Sequence, residues 1–318
     1  MSQLLTVAAS PHSHTRHTVG WCMWNVVVAL LPALAASLYF FGVGAAIVVA
    51  TSIAGCLAAE YAITRWMLRR PAQLLNGSAL LTGLLLAFNL PSNLPVWMVL
   101  VGAVVAIGIG KMSFGGLGCN IWNPALVGRV FLLISFPVAM TTWPLPEVNT
   151  WAYADATTGA TILGQLKLGE ISASDVSLWN GAVGAMGGSL GEVSAIALLL
   201  GFAYLLVMRV ITWHIPVAIF ATVAIMTFCL GGNVGVELLS GGLMLGAIFM
   251  ATDYVTSPMS HKGMIIFGVI IGVITVVIRR WGAYPEGVSF AILLANSVVP
   301  LIDRYVKPRQ FGERRTKK

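Results

Sequence analysis

The residues best suited to chemistry fall in three short segments of an otherwise apolar chain. The first is Asp155-Ala156-Thr157-Thr158-Gly159-Ala160-Thr161, where small residues hold hydroxyls on adaptable backbone with a carboxylate nearby. A threonine hydroxyl is a weak nucleophile until a base or metal activates it. The segment therefore reads either as a target for a modifying enzyme, which needs the hydroxyl exposed, or as a plain small-residue polar loop. The second segment is Gly115-Gly116-Leu117-Gly118-Cys119-Asn120-Ile121-Trp122-Asn123-Pro124-Ala125. Asn123 before Pro124 predicts a helix start, with Asn as N-cap and Pro at the first helical position. The glycines allow close backbone approach to a ligand, and the two amides offer donors and acceptors to a neutral heterocycle or a sugar alcohol. A glycine-rich turn with a capping asparagine is the competing reading. The third segment is Ala251-Thr252-Asp253, an acid at a membrane helix end, which is either a functional group or a cap for the next segment.

Other polar residues invite simpler readings. Arg129 could hold an anion, but snorkelling to the surface is the expected behaviour of such a side chain. Glu60 and Glu192 are expected at interfaces, and His214 with the Met and Trp residues as packing groups and interface anchors. Cys22, Cys56, Cys119 and Cys229 have no C-x-x-C spacing. They support no local zinc or iron–sulfur motif and read as small buried hydrophobes. No metal ligand set and no conventional catalytic residue is expected.

These segments need a scaffold, and the composition names its class. Of 318 residues, 58% are hydrophobic and only 9% charged, against roughly a quarter charged in a soluble domain. The apolar residues gather in runs long enough to cross a bilayer, which predicts an all-α polytopic membrane protein surrounded by lipid. With 34 Gly and little period-two alternation, a membrane β-barrel fits poorly. A net charge of +7 would suggest nucleic acid in a soluble protein. Here no nucleic acid is expected, because the basic residues sit between and after hydrophobic runs, where they orient the chain.

About ten spans are predicted, near 21–41, 43–63, 76–90, 95–111, 123–137, 192–209, 214–231, 238–252, 264–280 and 288–305, with 76–90 and 238–252 short or broken. Residues 1–20 form a polar tail without a signal-peptide core. Residues 138–188 form the longest loop, acidic but for Lys167. Fourteen of the 18 Lys and Arg fall on one side if both termini are cytoplasmic, which turns the 138–188 loop outward. The Ser78–Ala87 run resembles Gly241–Met250, and each is followed by a polar break and another apolar span. That divides the chain into a first five-helix repeat over 21–137 and a second over 189–305, followed by a basic cytoplasmic tail at 306–318. An odd number of spans per half forces the repeats into opposite orientations, a plan that places function near the pseudo-two-fold.

Together these residues resemble a known family. Asp155-x-x-Thr-Gly-Ala-Thr161 is similar to the covalent flavinylation motif, in which the last threonine carries FMN through a phosphoester made by a flavin transferase. Combined with Gly-Gly-Leu-Gly-x-Asn120-x-x-Asn123-Pro-Ala-Leu-x-Gly-Arg129 and Ala-Thr-Asp253, it resembles the RnfD/NqrB family of membrane proteins in ion-pumping oxidoreductases. The resemblance runs from Ser10-Pro-His12 to the last span, and the short N-terminus looks like the RnfD side. Thr158 stands where serine is commoner, and Cys119 replaces a usually larger residue.

The resemblance implies a fold similar to urea and ammonium transporters. It implies FMN on Thr161, within a motif of Asp155, Thr158, Gly159 and Ala160, and a noncovalent riboflavin at Asn120, Asn123 and Asp253. The implied role is electron transfer between these flavins, coupled to Na⁺ or H⁺ movement in a ferredoxin:NAD⁺ oxidoreductase of a bacterial inner membrane, active only in the assembled complex. Implied partners are RnfA, RnfB, RnfC, RnfE and RnfG. A cofactor-free channel or carrier of the urea-transporter kind is the rival, since the repeat plan serves both.

Overall fold

The computed structural model describes residues 17–70, 74–146, 158–168, 178–184, 187–192, 194–282, 284 and 286–307. Asp155 and Thr157 lie outside them. The first helix, α1 (Val19–Ala62), opens on Thr18, whose hydroxyl accepts from the Trp21 N–H at 3.2 Å. A straight helix of this length would run roughly 66 Å, about twice a bilayer core. It does not run straight. Gly42 leaves helical geometry at φ 56, ψ −131, a backbone conformation that glycine tolerates. Trp24 Nε1 donates to Leu75 O, while Lys111 Nζ bridges Glu60 and Ser78. Both ends of α1 therefore meet the same short stretch of chain, so α1 is two antiparallel limbs that reverse at Gly42, where the sequence predicts the boundary between its first two spans.

The next helix, α2 (Ser78–Phe88), starts behind left-handed Gly77, with the Ser78 N–H donating to Asn76 Oδ1. It packs closely on the second limb of α1. A Cβ on Gly83 would lie 2.8 Å from Ile53 Cα, and Ser52 Oγ donates to Gly83 O at 2.7 Å. After a polar break come α3 (Val96–Gly108), α4 (Pro124–Ser135) and the short α5 (Pro137–Thr141). The only departure from an all-helical chain among the described residues is a two-residue antiparallel pairing, β1 (Trp143–Pro144) with β2 (Thr158–Gly159). It fixes the start of the Thr-Gly-Ala-Thr segment, which leads into α6 (Ile162–Leu168); α7 (Leu178–Val183) follows.

The second half repeats several of these devices. It contains α8 (Ala195–Val207), α9 (His214–Cys229), α10 (Val234–Leu239) and α11 (Leu243–Leu245, continued by a wider π turn over Gly246–Met250). The last helices are α12 (His261–Trp281) and α13 (Val288–Tyr305). Like α2, α11 begins behind a left-handed glycine, Gly242, and its continuation runs into a polar break. The C-terminal ends of the two short helices meet, with Asn89 Nδ2 3.6 Å from Met250 Sδ. On α12, Gly268 and Gly272 form a small face one turn apart against Ala218 and Thr222 of α9, the kind of close helix contact small residues permit in apolar surroundings.

Among the described residues, four helical stretches are long and apolar enough to cross a membrane: Val19–Met67, Val96–Phe114, His261–Trp281 and Val288–Tyr305. Four more, Ser78–Phe88, Pro124–Ser135, Ala195–Val207 and His214–Cys229, are apolar but shorter. Their apolar side chains form one continuous buried cluster through both halves.

Candidate functional site

Asn120, Asn123 and Asp253 come together. They line one cavity of about 80 Å³ with Thr252, Lys111, Ser78 and an apolar wall that includes Val26, Leu85 and Phe249. Asn123 both caps and bridges. Its Oδ1 accepts from the Ala125 N–H at 3.1 Å, as the Asn-Pro spacing predicts, while its Nδ2 donates to Met250 O at 3.2 Å in the other half. The capping reading of this residue is thus physically present, and its amide nitrogen ties the two halves together. Asn120 Nδ2 donates to Trp122 O, which shapes the glycine-rich turn. Asp253 lies in the break between α11 and α12, where Thr256 Oγ1 donates to its Oδ2. Burial pushes its carboxyl above the usual range, against the opposing hydrogen bonds from Thr256, the Val255 backbone and Asn120.

Two charged residues in this region are misjudged by local sequence reading. Glu60 is not interfacial: Lys111 Nζ reaches its Oε2 at 2.6 Å, and the two side chains are only 3% and 7% exposed, for Lys111 and Glu60 respectively. Arg129 does not snorkel to the surface. It is buried, with Nη2 2.5 Å from Glu286 Oε2 and Nη1 donating to Asn89 Oδ1 and Ser289 Oγ. Both partners lie far away in sequence, so nothing local announces these pairs. Arg279, expected at the end of a span, is also buried and pairs with Glu237 at 2.6 Å. His214 stacks between Trp213 and His261, in keeping with a packing role. The cysteines divide: Cys56 is buried and Cys22 partly so, whereas Cys119 and Cys229 are exposed, contrary to expectation.

Thr161 stands apart from that cavity. Only 8% exposed, it uses its Oγ1 to accept from the Gly164 N–H at 3.2 Å and so caps α6. That differs from the exposed hydroxyl a modifying enzyme requires, and the reason is the capping bond. A group attached at this oxygen would have to share it with that capping bond. Ala160 is exposed beside it and Gly159 is held in the β pairing. Thr161 borders two cavities. One, of about 120 Å³, is lined by Arg129, Trp143, Ala160, Tyr284 and Glu286. The other, of about 20 Å³, adds Glu192, Ser240 and Gly241.

The two regions are linked by a thread of polar contacts. Asn123 holds Met250 O, Met250 Sδ faces Asn89 Nδ2, Asn89 accepts from Arg129, and Arg129 pairs with Glu286, which lines both cavities at Thr161.

The chain matches the model of the NQR2, RnfD, RnfE family over residues 6–312. It belongs to that family. Among similar family members, the D-type subunit of the Na(+)-translocating ferredoxin:NAD(+) oxidoreductase complex of Acetobacterium woodii is 45% identical, covering 99% of this chain and 97% of that protein. The D-type subunit of the proton-translocating ferredoxin:NAD(+) oxidoreductase complex of Clostridium ljungdahlii is 43% identical over 98% and 97%. Its counterpart in an ion-translocating oxidoreductase complex of Stutzerimonas stutzeri is 43% identical over 93% of each.

The donor sets suit the flavins that the family resemblance implies. Amides, a carboxylate and hydroxyls in a mostly apolar cavity match a neutral heterocycle with several ring donors and acceptors. Thr161 borders a cavity that Arg129, Trp143 and Tyr284 also line, a guanidinium for a phosphate and aromatic faces for a ring.

Proposed function

We propose that this chain is the RnfD-type membrane component of an ion-translocating oxidoreductase, relaying electrons between covalent FMN on Thr161 and riboflavin held by Asn120, Asn123 and Asp253. Bound flavins supply one-electron chemistry that the side chains of this protein lack. The chain's own part is to hold two such groups apart and connected. The observation that carries the reading is the pairing of two separate cavities, one at Thr161 and one at Asn120, Asn123 and Asp253, through the Asn123–Met250–Asn89–Arg129–Glu286 thread.

In this reading ten spans form two inverted five-helix repeats in a bacterial inner membrane. The matching left-handed glycines before α2 and α11, and the meeting of their C-terminal ends, support that plan. Both termini are cytoplasmic, the basic residues lie mainly on that side, and Thr161 faces outward. The other Rnf proteins are the electron partners, a flavin transferase loads Thr161, and the complex couples electron flow to Na⁺ or H⁺ movement. The names of the relatives support the complex and an ion as cargo.

The test is Thr161→Ala, expressed with the flavin transferase. Alanine has no oxygen for a phosphoester, so equal bands by protein stain should show ultraviolet flavin fluorescence in the parent and none in the variant. A fluorescent Thr161→Ala band refutes the attachment site. A dark parent, with no flavin absorption in the native protein, returns the channel reading.

A further inference from the structure

The small cavity at Thr161 contains oxygen atoms that the flavin reading does not use. Glu192 Oε1, Ser240 Oγ and Glu286 Oε1 are buried and have no hydrogen-bond partner, and all three residues line the same space of about 20 Å³. That volume suits one occupant of water size. The carboxylates are held from their far sides. Glu192 Oε2 accepts from the N–H and hydroxyl of Ser189, both at 2.9 Å, and Glu286 Oε2 takes the Arg129 guanidinium. The Glu286 side chain is 9% exposed. Buried oxygens left without a partner are costly, so three of them bordering one cavity call for an occupant.

Charge selects its kind. The carboxylates of Glu192, Glu237 and Glu286 share this neighbourhood with two guanidiniums, Arg129 on Glu286 and Arg279 on Glu237. Arg279 also donates to Ser240 O and Gly241 O, which sets the cavity wall. Lys167 is exposed and donates to Gly282 O. The Glu192 carboxylate is left without a cationic partner among the described residues. A water molecule could fill the volume, but it would leave that negative charge uncompensated beside the buried Glu286 carboxylate.

We propose that this cavity binds one monovalent hard cation, a sodium ion, through Glu192 Oε1, Glu286 Oε1 and Ser240 Oγ. Hard cations take oxygen ligands. One charge balances the surplus where a divalent ion would overshoot it. The presence of a third oxygen, a neutral hydroxyl, favours an ion with several ligands over a proton shared by two carboxylates. The inference deepens the ion-coupled reading and rests on that reading for its purpose, though not for its geometry. Because Thr161 borders the same cavity, an anionic group esterified there and a cation at Glu192 attract one another.

The test is equilibrium binding of radioactive sodium to the purified complex, at fixed pH and with choline holding ionic strength constant. Glu192→Gln should remove one sodium site, and Ser240→Ala should weaken it about tenfold. Glu192→Asp, which keeps the charge, should retain the site at reduced affinity. Because Ser240→Ala deletes only a neutral oxygen, it keeps the question open to refutation if Glu192→Gln fails to assemble. Sodium binding unchanged in either Glu192→Gln or Ser240→Ala overturns the proposal. So does a parent that binds no sodium here while Glu192→Gln alters only its proton uptake. Flavin fluorescence on the same samples separates the failures: a fluorescent complex lacking the sodium site defeats this inference alone, and a dark complex that binds sodium at Glu192 defeats the flavin reading alone.

Discussion

Removing Glu60 should damage the protein far more than its position in an apolar run suggests. Lys111 Nζ lies 2.6 Å from Glu60 Oε2 and 2.7 Å from Ser78 Oγ, with almost no solvent on either charged group. Glu60→Ala strands a buried ammonium, which costs about 3–5 kcal/mol. Ser78→Ala removes a hydrogen bond to a charged group, for which about 1.5–3 kcal/mol is the expected loss, together with the bond its hydroxyl donates to Asn76 Oδ1. Replacing both charges together, Glu60→Met with Lys111→Met, removes the desolvation cost with the attraction and should be close to neutral. The order of stability should therefore be parent and double variant highest, Ser78→Ala intermediate, and Glu60→Ala lowest. The assay is the fraction of protein left monodisperse in detergent after heating through a temperature series. A Glu60→Ala protein as heat-resistant as its parent, or a double variant worse than the single, would refute a buried pair. Because Lys111 and Ser78 also line the cavity of Asn120, Asn123 and Asp253, Glu60→Ala should lower riboflavin content as well.

Asn123→Ala loses a helix cap and the bond to Met250 O, together about 2 kcal/mol, and should purify with less riboflavin but normal covalent flavin; full riboflavin occupancy would exclude Asn123 from the pocket. Gly201→Ala places a methyl group against Ala29 O and within 2.9 Å of Phe249, so α8 must back away from α1 at about 1–3 kcal/mol, read as a lower midpoint in the same heating assay. Asp253 has a raised pKa in the folded protein, so the folded state holds a proton that the unfolded chain releases near pH ~4. Stability should therefore fall as pH rises from that value through the raised one, and Asp253→Asn should flatten the profile and be more heat-stable at neutral pH.

Features that depend on local chemistry are legible in the sequence. Asn123-Pro124 signals the α4 start because capping is a matter of adjacent residues. The boundary between the first two predicted spans falls at Gly42, where the backbone turns. The gathering of Asn120, Asn123 and Asp253 in one cavity accords with the grouping that the family resemblance implies. The misjudged residues are those whose partners come from distant segments. A lone Arg129 or Glu60 in an apolar run carries no mark of Glu286 or Lys111, and without a partner an interfacial position is the cheaper reading. The capping bond of Thr161 is hidden from the sequence for a similar reason. It depends on Ile162–Leu168 being helical, and the Thr-Gly-Ala-Thr pattern does not announce a helix behind it.

The buried charges matter because of where they sit in the polar thread. Glu286 is shared: one oxygen holds Arg129, while its side chain borders both cavities at Thr161. Any change of charge in those cavities alters how strongly Glu286 holds Arg129. Arg129 in turn fixes Asn89, which sits against Met250, whose carbonyl accepts from Asn123 in the other cavity. Each neutral link in such a chain contributes about 1 kcal/mol, and the Asn89–Met250 sulfur contact, with its weak acceptor, contributes less. A thread of this kind can bias side-chain positions by roughly that amount, a shift of about fivefold in population. Coupling much stronger than this would require the short helices themselves to move. Gly83 against Ile53 and Gly246 against Val288 pack too closely for either helix to shift without displacing its neighbour.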